Sequence, residues 1–197
     1  MMDDQEKKTG ERLDSSFFKF FWEVSPIISR KKTIHDFLKK IDIFKSLTDY
    51  EIMVFAKYLH KRSFQPNELI VKEGKVGHSF NIILNGKVKV FVKKHSEDSD
   101  IKLSEDNHTL IYTLEKYHYF GELALLEDRS KRKGSAFCNT SVTLLSLYRS
   151  DFEEIIDQYP KIGAKIMRAL SSIVVQRLNL ATTKIQELKS SHHEIQS

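Results

Sequence analysis

The dipeptide Asn85-Gly86 falls between two apolar runs, Phe80 to Leu84 and Val88 to Val92. A two-residue hairpin turn needs positive φ at both central positions, which asparagine and glycine adopt more easily than other residues. The dipeptide therefore predicts a hairpin, and Val88-Lys89-Val90 shows the alternation of a half-buried strand. Further short runs occur at Leu69-Ile70-Val71, Leu110 to Leu114, Ser135 to Cys138 and Val142 to Tyr148. Many short strands at regular spacing predict an antiparallel sandwich or roll.

The period is helical on either side of this region. Before it, Ile34, Phe37, Leu38 and Ile41 recur at spacings of three and four. A second helix carries Ile52, Phe55, Ala56 and Leu59 on one face, and Thr48 with Glu51 three residues on reads as its capping box. After it, Ser150 and Glu153 read as another capping box for a short helix ending at Gln158, with Phe152, Ile155 and Ile156 turned inward. Tyr159-Pro160 makes a hinge-like break, proline being well placed at the start of the next helix. That last helix has a stripe of Ile162, Ile166, Leu170, Val174, Leu178, Ala181, Ile185 and Leu188. Its first half is expected to pack on the body and its second half on a second copy, as a homodimer seam. The expected class is α+β and β-rich: an antiparallel sandwich or jelly-roll-like roll flanked by N-terminal helices and a long C-terminal helix.

The boundaries follow. Residues 1–33 are an N-terminal segment, 34–189 one domain (helices 34–59, roll 60–149, hinge and long helix 150–189), and 190–197 a tail. Residues 1–16 are polar, without periodicity, and read as disordered or loosely held. Phe17, Phe18, Phe20, Phe21 and Trp22 read as a short helix tucked against the body, or as a docking element for a protein partner or a membrane surface. The loop from Ser96 to His108 is polar and acid-rich; after Asp98-Ser99-Asp100 no glycine or closing glutamate follows at the spacing of a calcium-binding hand.

With 40% hydrophobic and 30% charged residues in 197, the chain reads as a soluble globular protein. Its net charge of +5 is not gathered into one basic tract, so no nucleic-acid partner is expected. No apolar stretch approaches the ~20 residues of a membrane span, and the acidic N-terminus lacks the order of a secretion signal. A cytoplasmic location is expected. The single cysteine, Cys138, lies in an apolar run and reads as a small buried side chain in a reducing compartment.

The chemistry concentrates between Tyr119 and Ala136. Gly121 permits a tight turn, and Glu122 to Leu126 fit one short helical turn whose first amides lack internal partners. Arg132 stands amid Arg129, Lys131 and Lys133. Backbone amides plus a guanidinium fork suit a phosphate. A glutamate beside that phosphate is repulsive unless it accepts from ligand hydroxyls, which a ribose supplies. The set describes a sugar phosphate better than a bare anion.

Phe120-Gly121-Glu122-Leu123-Ala124-Leu125-Leu126, with Arg132 ten positions after Glu122 and small residues beyond, resembles the phosphate-binding cassette of cyclic-nucleotide-binding domains. Such domains occur in bacterial catabolite activator proteins, regulatory subunits of cAMP-dependent protein kinase and cyclic-nucleotide-gated channels. The resemblance extends through Glu73-Gly74-Lys75-Val76-Gly77 and Phe80 to Val90, and covers roughly residues 34–188. It implies an eight-stranded β-roll. It also implies that Glu122 accepts from the ribose 2′-hydroxyl, that Arg132 pairs with the cyclic phosphate assisted by amides near Leu123 and Ala124, and that Gly121 allows close approach. Thr182 and Thr183 are the nearest helix candidates for reading the base; as plain exposed threonines they need no such role. Lys133 departs from the small or hydroxyl residue usual in the family. It either adds a second cation to the phosphate or points outward and leaves the pocket wider beside Gly134.

No nucleophile–base pair, metal-like histidine spacing or Walker-type loop occurs, so the chain reads as a binding module rather than an enzyme, with no cofactor or metal. The few residues after Leu188 are too short for a helix-turn-helix DNA reader. The expectation is a cAMP or cGMP sensor that switches between two states. The alternative is a ligand-free scaffold that uses the same fold for protein–protein contacts.

Overall fold

The computed structural model describes residues 11–12, 34–94 and 107–195. A two-residue strand β1 (Glu11–Arg12) precedes helix α1 (Ile34–Leu38), a 3-10 turn (Asp42–Phe44) and helix α2 (Asp49–Ala56). Strands β2 (His60–Phe64), β3 (Leu69–Val71), β4 (Ser79–Asn85), β5 (Val88–Lys93), β6 (His108–Leu114) and β7 (Tyr119–Phe120) follow. Helix α3 (Leu123–Leu126), strands β8 (Ser135–Cys138) and β9 (Val142–Tyr148), and helices α4 (Arg149–Gln158) and α5 (Pro160–Ile195) complete the order. All strand pairs are antiparallel, in two sheets ordered β1-β2-β9-β4-β7 and β3-β8-β5-β6. The α+β roll with a long C-terminal helix is thus as expected.

The expected hairpin at Asn85-Gly86 is not formed. Asn85 stays in β4 and pairs with Thr143, and of the two residues only Gly86 takes a positive φ, +94°. The turn therefore carries the chain out of one sheet and into the other: β4 pairs with β7 and β9, β5 with β6 and β8. Packing across the roll decides this. Ile83 of β4 and Val88 and Val90 of β5 join one buried cluster with Phe64, Phe120 and Leu144.

Side-chain alternation gives the five-stranded sheet two different faces. Ile83, Val142 and Leu144 point into the roll. Phe80, Ile82, Leu145 and Leu147 point the other way and join the helices, against Phe44, Phe55, Phe152 and Leu170. Cys138 lies inside the roll at 1% exposure, where burial pushes its thiol up to about 11.

Four local expectations are corrected. Glu11–Arg12, within the segment read as disordered, pairs with Lys61 and His60 at the β2 edge; backbone hydrogen bonds hold such a strand without a side-chain period. The Thr48–Glu51 capping box is present, but the one at Ser150–Glu153 is not. Helix α4 starts two residues earlier, at Arg149, so Ser150 is already helical and Tyr148 occupies the cap without a side-chain bond. Ile156 is exposed rather than inward, the buried face of α4 being Phe152 and Ile155. The acid-rich loop also ends sooner, His108 being the buried first residue of β6. Phe17 to Trp22 and Asp98 to Asp100 lie outside the described residues.

Candidate functional site

A cavity of about 670 Å³ opens between the four-stranded sheet, the β7–α3 corner and helix α5. That volume is within the range of small-molecule sites. Its sheet wall is apolar, with Val71, Val90, Val92, Ile111 and Ala136, and Tyr112 beside them. Of the predicted site residues, Gly121, Glu122, Leu123, Ala124, Arg132, Lys133 and Gly134 all line it. Thr182 and Thr183 do not; Thr182 Oγ1 donates to the carbonyl of Leu178, one turn back. Val174, Arg177, Leu178 and Ala181 are the helix residues that face the cavity.

Glu122 and Arg132 are both buried, at 5% and 9% exposure. Two loops build the seat of Arg132. Its N–H donates to Lys75 O (2.8 Å), its carbonyl accepts from Gly74 N–H (2.9 Å), and Gly77 N–H donates to Ser130 O (2.9 Å). Val76 bridges Lys131 between these bonds. The guanidinium then reaches into the roll, where Nη2 donates to Ser79 O (2.9 Å) and Ser79 Oγ (3.1 Å), and Nη1 to Gly121 O (3.4 Å).

Two glycines make the slot. A Cβ on Gly77 would lie 2.5 Å from Arg132 Nε and 2.6 Å from Cζ. A Cβ on Gly121, whose φ is +82°, would collide with Nη1 and lie 2.7 Å from Ser79 O. Gly134 allows β8 to approach β5: a Cβ there would lie 2.8 Å from Phe91 O.

Helix α5 reaches the site through Arg177, whose Nη1 donates to Glu122 Oε1 as an ion pair. Helix α4 reaches it through Arg149, whose Nε donates to Ala124 O (2.9 Å) within α3. Burial holds the Tyr112 phenol above its ordinary value; Arg177 opposes this shift and the Glu122 carboxylate adds to it. Lys131 and Lys133 are exposed at the cavity rim. Among the described residues no group of three or more His, Cys, Asp or Glu side chains is placed to hold a metal ion, and no helix is long and apolar enough to cross a membrane.

Arg177, Ser79 and Gly77 did not emerge from the sequence as site residues. Each left a trace: an arginine inside the apolar stripe between Val174 and Leu178, a serine immediately before the apolar run at Phe80, and a second glycine three residues after Gly74. Only the packing turns those traces into contacts.

A family model described as Cyclic nucleotide-binding domain matches residues 61–159. The cAMP-dependent protein kinase regulatory subunit of Colletotrichum orbiculare is 32% identical over 128 residues, 65% of this chain and 29% of that subunit. The human potassium/sodium hyperpolarization-activated cyclic nucleotide-gated channel 2 is 32% identical over 116 residues, 59% of this chain and 11% of the channel. The chain therefore spans less than a third of the length of these relatives. Among solved structures, the Thermus thermophilus catabolite activator protein superimposes with a TM-score of 0.64 at 23% identity, covering 75% of this chain and 63% of that one.

Proposed function

Since the chain belongs to the cyclic nucleotide-binding domain family, we propose that it is a regulatory sensor for cAMP or cGMP, a binding module rather than a catalyst. The observation that carries this reading is one buried anion and one buried cation, Glu122 and Arg132, lining a single cavity. Glu122 accepts from a ribose hydroxyl. Arg132 and the amides at Leu123 and Ala124 meet the cyclic phosphate, and Lys133 at the rim adds a second positive charge to it. The apolar sheet wall with Tyr112 takes the base.

The same contacts suggest how binding is transmitted. Arg149 ties the first residue of α4 to the cassette carbonyl at Ala124, and Arg177 ties α5 to Glu122. A ribose that engages Glu122 competes with Arg177 for the carboxylate, so the ligand has different affinity for two positions of the helix. Such a difference is what a ligand needs to shift a conformational balance. The distal half of α5 supplies a homodimer seam, and the buried thiol of Cys138 fits the reducing cytoplasm.

The test is titration calorimetry with cAMP and cGMP on the wild type and Arg132→Ala. Wild type is expected to bind at least one of them. The variant should bind about tenfold to a hundredfold more weakly, as for the loss of a charged hydrogen bond of about 1.5–3 kcal/mol. Equal heats from both proteins would remove Arg132 from the site. In a thermal shift, ligand at 100 times Kd adds about 2.7 kcal/mol; no shift with either nucleotide would point to the ligand-free scaffold instead.

A further inference from the structure

We propose that Asn81 and Ser146 are positioning residues for the ligand phosphate: acting through Ser79, they set the direction in which the Arg132 guanidinium points. The proposal rests on the cyclic-nucleotide reading of the cavity.

Ser79, Asn81 and Ser146 are completely buried. Asn81 and Ser146 are register partners on β4 and β9, and they share an inward face with Ile83, Val142 and Leu144. Three polar side chains in such surroundings are costly unless each is bonded. Here they form one directed chain that ends on the cation. Ser146 Oγ donates to Asn81 Oδ1 (2.7 Å), and the Ser79 carbonyl, which can only accept, keeps Nδ2 on its own side. Nδ2 then donates to Ser79 Oγ (3.2 Å) and, at 3.4 Å, to Ser79 O.

The Ser79 hydroxyl oxygen consequently receives two donors, Asn81 Nδ2 and Arg132 Nη2. A hydroxyl has two lone pairs and one proton, so both lone pairs are committed and the proton is turned away from the guanidinium. With the amide flipped, Oδ1 would draw that proton and face the Ser79 carbonyl, an unfavourable pair of acceptors. The amide orientation of Asn81, set by the Ser79 carbonyl and anchored by Ser146, therefore propagates to the guanidinium. Gly77 and Gly121 confine the same group from its sides. A planar fork held in this way presents its N–H groups to a phosphate in one direction only.

A merely structural role would serve packing, and apolar residues of similar shape would fill it as well. A positioning role makes a stereochemical prediction. A cyclic phosphate has two exocyclic oxygens, and replacing one or the other by sulfur gives the Rp and Sp diastereomers. A fixed guanidinium distinguishes them; a swivelling one does not.

The experiment measures affinity for the nucleotide that binds and for its Rp and Sp phosphorothioates. The proteins are wild type, Ser146→Ala, Arg132→Ala and the double variant. Ser146→Ala should bind about three- to tenfold more weakly and show an Rp/Sp ratio closer to one, with its melting temperature within a few degrees of wild type. The double variant should be no weaker than Arg132→Ala, because residues acting through one group are not additive. An unchanged Rp/Sp ratio in Ser146→Ala, or full additivity in the double variant, overturns the proposal. Should Ser146→Ala fail to fold, Ser146→Cys keeps the volume while weakening the donor. Carbon-detected arginine NMR gives a readout that needs no ligand: rotation about the Arg132 Cζ–Nη bonds should be slow in wild type and faster in the variant. If wild type binds neither nucleotide, the cyclic-nucleotide reading fails, and equal rotation rates in wild type and variant would still sink the positioning role by itself.

Discussion

Gly77 and Gly121 press on the same guanidinium, yet an added methyl group would act differently at each. At Gly77 the Cβ meets Arg132 Nε, Cζ and Cδ, the far end of a flexible side chain. At Gly121 it meets backbone as well, at Ser79 O, from a φ of +82° that a β-carbon disfavours. Gly77→Ala is therefore expected to displace the guanidinium at small cost to the fold. Nucleotide affinity should fall about tenfold or more, while the melting temperature moves by only a few degrees. Gly121→Ala should lose affinity and about 1–3 kcal/mol of stability together, from backbone strain. Calorimetry paired with thermal melts separates the two. The cassette itself, Glu122 and Arg132, was legible in the sequence because its residues lie within one short segment. The seat of Arg132 was not. Ser79 stands 53 positions away from it, and its role depends on which face of β4 it occupies.

Helix α5 is tied to the site by an ion pair, half-exposed Arg177 on buried Glu122. Arg177 is about half exposed, which tempers the strength of the pair. Breaking it from the helix side with Arg177→Ala should release the helix beyond Leu170, the last buried residue among the described side chains, rather than unfold it whole. Hydrogen exchange should rise about fivefold between residues 171 and 181, corresponding to roughly 1 kcal/mol, with 160–170 unchanged. Uniform protection in both proteins would show that the pair holds nothing. Element starts were legible where the capping chemistry is local: Thr48 and Glu51 satisfy each other within four residues. They were misread at Ser150, because Arg149 N–H bonds to His78 O from a distant loop and the helix begins there instead.

At the scale of the molecule, α5 is 36 residues long, about 54 Å at 1.5 Å per residue. Along its stripe Ile162, Ile166 and Leu170 are buried, whereas Leu178 and Ile185, seven positions apart, are 64% and 55% exposed. Sedimentation should find a concentration-dependent dimer that Ile185→Lys makes monomeric without loss of nucleotide binding, since Ile185 is not a cavity residue. A wild type monomeric across the micromolar range would refute the seam. The strand runs and flanking helices of this architecture could be read from hydrophobic period alone. The assignment of strands to sheets could not, and the misread turn at Gly86 shows why. A turn dipeptide specifies a reversal of direction; whether the reversed strand pairs with its predecessor or crosses to the opposite sheet is decided by the interior it must fill.

The ion pair between Arg177 and Glu122 also bears on time. Glu122 is 5% exposed and bonded to Arg177 of α5; on the proposed reading, that contact must open before a bound sugar leaves. Departure is then paced by the opening of α5 rather than by the strength of the pocket contacts. Two versions of this chain with the same equilibrium affinity could hold their ligand for different durations, set by substitutions on the outer side of one helix. How long a response outlasts its stimulus would then be a property of α5, adjustable without touching the residues that recognise the ligand.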